Sequence, residues 1–183
     1  MTAHLRTTSL ASAALLLTLP LLALPMAAHA HRTWLLPSSG QVNGNNVYVT
    51  VDAATSDDLF EYDSFPGKLD GLTIVAPDGS QVTPENRLTG QLRSSFDVKL
   101  AASGTYRISL INDTIMGSYD QGGETKRLRG VAAADLATTL PADATHVQTA
   151  HMISRVDTYV SANKSSDAVL APTGHGLEIV PLS

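Results

Sequence analysis

The sequence contains no cysteine. That rules out a disulfide framework, a thiolate metal site, a cysteine nucleophile and a lipid-bearing amino-terminal cysteine. Charge is also scarce, at 16% of residues, and acidic groups outnumber basic ones by 17 to 12. A chain of that balance is a poor partner for nucleic acid or an anionic membrane surface. Recognisable catalytic motifs are missing as well. There is no Gly-x-Ser-x-Gly elbow, no His-Glu-x-x-His and no phosphate-binding glycine loop, so no enzymatic activity is expected. Aromatics make up only 5%, and Trp34 is the single tryptophan.

One long apolar run is present, and it lies within residues 1–30. Arg6 precedes it, "AALLLTLPLLAL" forms its core, and Ala28-His29-Ala30 supplies the small-x-small pattern read by signal peptidase. Pro20 and Pro25 argue against a spanning helix, because each removes a backbone donor and kinks the chain. Residues 1–30 are therefore expected to be a signal peptide, with cleavage after Ala30, export to the periplasm and no stable membrane insertion afterwards. Removal of Arg6 takes the formal charge from −5 to −6.

The rest reads as short strands separated by turns. In "NVYVTVDA" Val47, Val49 and Val51 share one face; in "SSFDVKLAASGTYRISLIN" Phe96, Val98 and Leu100 alternate, then Tyr106, Ile108 and Leu110. Period-two patterns in several segments need one shared apolar interior. "GLTIVAPDGSQVT" has the form of a hairpin around Pro77-Asp78-Gly79-Ser80. Gly104-x-Tyr106 after a short turn matches a tyrosine corner, in which the hydroxyl ties down the preceding loop. "THVQTAHMISRVDTYVSA" is rich in Val, Thr and Ile and fits a long strand, while 132–140 is the one short helix candidate. The expected fold is all-β, an immunoglobulin-like β-sandwich over 31–171. Residues 172–183 are expected to be a linker and the start of a further strand.

The histidines are the candidate metal ligands. Cleavage after Ala30 gives His31 a free α-amine beside its imidazole, and those two nitrogens chelate; one further donor would complete a site suited to Cu(II) or Ni(II). Cleavage two residues earlier would instead place His31 third in a chain starting at His29, also a square-planar chelating arrangement. His146, His151 and His175 are weaker candidates for the additional imidazole. A second cluster, "SDDLFEYDSFPGKLDG", mixes Asp57, Asp58, Glu61, Asp63 and Asp70 with Phe60, Tyr62 and Phe65. Its spacing fits no EF-hand, so it is read as a solvated acidic loop anchored by aromatics and forming a functional surface. Lys126, Arg127 and Arg129 are read as a solvated turn.

"AHAHRTWLLPS", "RSSFDVKLAASGTYRISLIND", "TKRLRG", "RVDTYVSA" and "PTGHGLEIVPL" resemble, in that order, a bacterial periplasmic family catalogued as domain of unknown function family 4198. The resemblance implies an immunoglobulin-type sandwich and a role as an additional periplasmic component of nickel/cobalt uptake, with a membrane metal-transport system as partner. It also implies a second small β domain after "LEIVPL", which this chain would lack. It carries over no catalytic residues. The expected function is thus a periplasmic binding protein handling Ni(II), Co(II) or Cu(II). The competing expectations are a metal-free structural or protein-interaction module of the cell envelope and, third, a copper protein built on a His31 brace.

Overall fold

Alternation along the sequence becomes alternation across two sheets. The computed structural model describes residues 31–174 and 176–181. One sheet has the order β1 (Arg32–Pro37), β3 (Val47–Ser56), β7 (Ser94–Leu100), β6 (Glu85–Thr89), with β4 (Phe65–Pro66) also paired to β3. The other has the order β2 (Gln41–Val42), β10 (Thr145–Ala162), β8 (Gly104–Gln121), β5 (Leu72–Val75), with β9 (Glu124–Val131) also paired to β8. Pairing is antiparallel throughout except between β2 and β10. The protein is an all-β sandwich.

The apolar faces meet between the sheets. Val49, Val51, Phe96, Val98, Leu100, Tyr106, Ile108 and Leu110 are all buried in one cluster, and Val47 packs half-buried against it. Each such side chain contributes roughly 1.5–3 kcal/mol by leaving water. The Tyr106 hydroxyl accepts from the Ala102 N–H at 2.7 Å and donates to the Ala102 carbonyl at 3.0 Å, so the corner is formed. The helical segment is a 3-10 turn, Ala133–Asp135, running into the one-turn helix α1 (Leu136–Thr139). The expected hairpin keeps its turn but loses its second strand. Only Gln81 bridges back to Val75, after which the chain crosses to the other sheet as β6.

Two features shape the ends of the molecule. Strands β8 and β10, of 18 residues each, stay paired from Gly104↔Ala162 to Asp120↔Thr145. Their outer halves leave the core behind and, with β9, continue as a three-stranded ribbon on which Val147, Met152 and Ile153 are exposed. Gly117 allows the close pairing there, since a Cβ on it would lie 2.0 Å from the Gln148 carbonyl oxygen.

The segment after β10 straps the outer face of the second sheet. Arg107 Nη1 donates to the carbonyls of Val169 and Ala171 at 3.1 and 3.3 Å. Arg155, whose side chain is 5% exposed, donates from Nε to both Asp157 oxygens and from Nη1 to Thr173 Oγ1, and lies 2.7 Å from Glu178 Oε1. Glu178 also accepts from the Thr173 and Gly174 N–H groups at 2.8 and 2.9 Å. The Thr173 hydroxyl is the main cause holding this carboxyl below its ordinary range. With Glu178 turned inward, Leu177 and Ile179 face solvent, and residues 176–181 have no ladder partner among the described residues.

Candidate functional site at the start of the sandwich

The register of β1 on β3 builds this site. Arg32 pairs with Ser56, Trp34 with Ala54 and Leu35 with Ala53. Continuing by one residue sets His31 opposite Asp57. Leu35 belongs to the core, so alternation puts His31 and Thr33 on the inward face, beyond the end of the apolar interior. There His31 Nδ1 lies 3.3 Å from Asp57 Oδ1, and its ring stacks on Phe65 with centroids 5.6 Å apart. Thr33 and Thr55 Oγ1 atoms are 2.9 Å apart directly behind them.

Trp34 points the other way, onto the outer face of the first sheet, yet it is only 2% exposed. The chain leaving β3 folds back over it. Phe60 and Tyr62 meet the indole edge-on at 5.5 and 5.2 Å, and the indole N–H donates to Ser56 Oγ at 2.7 Å. Ser56 Oγ in turn donates to the Asp58 carbonyl at 2.5 Å. Tyr62 donates to Asp52 Oδ2 at 2.8 Å, and Arg93 lies over its ring. Burial first, then this bond to Asp52, raises the phenol above its usual value. The aromatics anchor the acidic loop, as expected. They do so at a local cost: Phe60 has φ +68°, a conformation that a bulky residue adopts only when its surroundings impose it.

Asp57 is the unusual member. Its Oδ1 is buried and has no hydrogen-bond partner among the described residues, because the approach of His31 Nδ1 is not aligned as a hydrogen bond. A buried, unsatisfied polar atom costs about 1–3 kcal/mol. The other described histidines are different. His146 Nδ1 is hydrogen-bonded to Asp120 Oδ2 at 3.1 Å, with His146 itself at φ +47° in a register shift. His151 Nε2 is hydrogen-bonded to Asp113 Oδ1 on the ribbon. Each histidine thus faces its own aspartate. Among the described residues no three His, Cys, Asp or Glu side chains converge on a metal position. His29 and His175 lie outside the described residues.

The sequence singled out His31 and Asp57 separately. Their meeting depends on a strand register that no local pattern encodes. Asp52, Tyr62 and Arg93, which fix the loop, were not read as a unit because they come from three segments. No curated protein and no solved structure matches the chain. The sequence model of one family does, that of the domain of unknown function DUF4198, over residues 28–183. That span covers most of the sequence, the sandwich strands and the His31 site included, and the chain belongs to this family.

Proposed function

We propose that the processed protein is a periplasmic binding protein that takes up a divalent transition-metal ion, nickel, cobalt or copper, at its terminal histidine. The carrying observation is Asp57 Oδ1, a buried atom without a hydrogen bond among the described residues, 3.3 Å from His31 Nδ1. Cleavage after Ala30 would add the α-amine of His31 as a third donor, and this donor is not a side chain. Amine, imidazole and carboxylate together form a nitrogen-rich set with one hard oxygen, suited to Cu(II) and Ni(II). A cation there would also satisfy the orphaned oxygen. The stacking of Phe65 on His31 limits rotation of the imidazole and so lowers the entropy lost on chelation. Binding without redox turnover is what delivery to a membrane transport system requires.

Calorimetric titration of the exported protein with Ni(II) and Cu(II) tests this reading. Asp57→Asn should weaken binding at least about tenfold, the equivalent of about 1.4 kcal/mol. His31→Ala should abolish it, while His146→Ala and His151→Ala should leave it unchanged. Equal affinity for wild type and Asp57→Asn would remove the carboxylate from the site.

A second reading has its own observation. Leu59, Phe60 and Phe65 are exposed on the same loop that carries Asp57, Asp58, Glu61 and Asp63. Such a surface suits a protein partner bearing apolar and basic groups. Under that reading the loop is the function and His31 binds no metal.

A further inference from the structure

Strand β8 has β10 along one edge for its whole length, but its other edge is shared. Pairing with β5 stops at Leu72↔Leu110, with one more bond from the Ile111 N–H to the Gly71 carbonyl. Pairing with β9 begins only at Ile115↔Val131. Among the described residues, 112–114 therefore have no ladder partner on that edge, and a notch opens in the middle of a sheet. Two local devices make it. Gly71 lets the incoming chain end against β8, since a Cβ there would sit 1.7 Å from the Ile111 carbonyl oxygen. On the far side β9 carries a register shift, with Leu128 opposite Gly117 but Val131 opposite Ile115, and Gly130 at φ +62°. An extra residue of this kind bends a strand away from its neighbour and re-aims side chains, and such bulges concentrate beside functional sites.

The notch forms the floor of a cavity of about 670 Å³. That size lies within the range of small-molecule sites, about 300–1,000 Å³. Lys68, on the crossing from β4 to β5, and Arg129, in the bulge, line it from different elements. Neither has a carboxylate partner among the described residues. Two acids, Asp70 and Asp113, also line the cavity, and one oxygen of Asp113 is taken by His151 Nε2 on the ribbon. Asn112 adds an amide and also lines, with Lys68, an adjoining cavity of about 250 Å³ that reaches Phe65.

We propose that this groove binds a small organic polyanion, a di- or tricarboxylate, held between Lys68 and Arg129. Two cations on separate elements lining one groove suit acid groups at the two ends of one molecule. Arginine favours this assignment further, because its planar fork matches a carboxylate with two parallel hydrogen bonds. The site does not depend on a metal at His31.

Metal-free exported protein titrated calorimetrically with citrate at fixed ionic strength, with inorganic phosphate and acetate as comparison arms, tests the proposal. Citrate should bind saturably and more tightly than either. Lys68→Ala and Arg129→Ala should each weaken it by about tenfold, the loss of one charge-assisted contact. Asp70→Asn should tighten it. Lys126→Ala and Arg127→Ala, which remove equal charge from outside the groove, should change nothing. Absence of saturable citrate binding would overturn the proposal. So would phosphate binding as tightly as citrate, or a loss at Arg129 no larger than that at Arg127. Because no metal is present, failure here leaves the His31 reading standing, and the reverse also holds.

Discussion

The inner and outer halves of β8 and β10 obey one alternation in two different surroundings. In the inner halves Tyr106, Ile108 and Leu110 from β8 and Val160 from β10 enter the sandwich and are buried. In the outer halves the same pairing continues, but the positions hold Met116, Met152, Ser118 and Gln148, and almost nothing packs on them. The β8–β10 ladder runs through both regions; burial in the sandwich core does not. The inner region carries the stability of the fold. The outer ribbon is held by its ladder and by Ile115 and Leu128, buried on its other face, and it frames the notch that Arg129 lines. Sites of binding belong in the region where side chains have not been consumed by packing.

The sharpest way to break this comparison is a matched pair of truncations. Phe96→Ala, in the sandwich, should cost about 3–5 kcal/mol, whereas Met152→Ala, on the ribbon, should stay within about 0.5 kcal/mol. Urea denaturation followed by far-ultraviolet dichroism would measure both. Comparable losses would mean that the ribbon is covered by something that stabilises it.

Backbone contacts give an intermediate effect confined to the ribbon. Gly117→Ala forces a Cβ toward the Gln148 carbonyl and should cost about 1–3 kcal/mol, as overpacking does. Amide exchange should show the loss in residues 112–120 and 145–154, with Val49 and Val98 still protected. Loss of protection across the whole chain would show ribbon and sandwich to be one cooperative unit.

How far these regions were legible in the sequence follows from the same contrast. Val47 to Val51 and Phe96 to Leu100 declared themselves, because a strand with one buried face must alternate. Tyr106 declared its corner through Gly104 and the turn before it. The 145–162 segment read as a strand, but nothing in it said that half would lie outside the core, since Val147 and Ile153 look as apolar as Val160. Asp57 was visible only as one acid among several. It becomes particular through the β1–β3 register, which a six-residue strand does not announce. Arg129 reads in the sequence as part of a solvated basic turn, because a bulge and a crossing segment far earlier in the chain are needed to make it a wall.

A smaller effect separates the strap from both regions. The Glu178 carboxyl sits below its ordinary range in the folded protein, so its contribution is present above the unfolded value and is lost as pH falls through the folded one. Protection of the Thr173 and Gly174 amides should therefore decline in acid, while Ile108 stays protected. Glu178→Gln should show the weakened strap at neutral pH and little further change below it. A wild-type strap that is insensitive to acid would show that Arg155 and Arg107 hold it without the carboxylate.

Metal binding at the processed terminus, as proposed, is tested most directly by a comparison of two proteins. One begins at His31; the other carries a single additional Met before it, which separates the free amine from the imidazole while leaving Asp57 and the fold untouched. Titrated with Ni(II) and Cu(II), the processed protein should bind both. The extended protein should lose at least about a hundredfold in affinity, the equivalent of about 2.8 kcal/mol for a broken chelate. Equal binding by the two would contradict the account and leave the aromatic-acidic loop as the working surface.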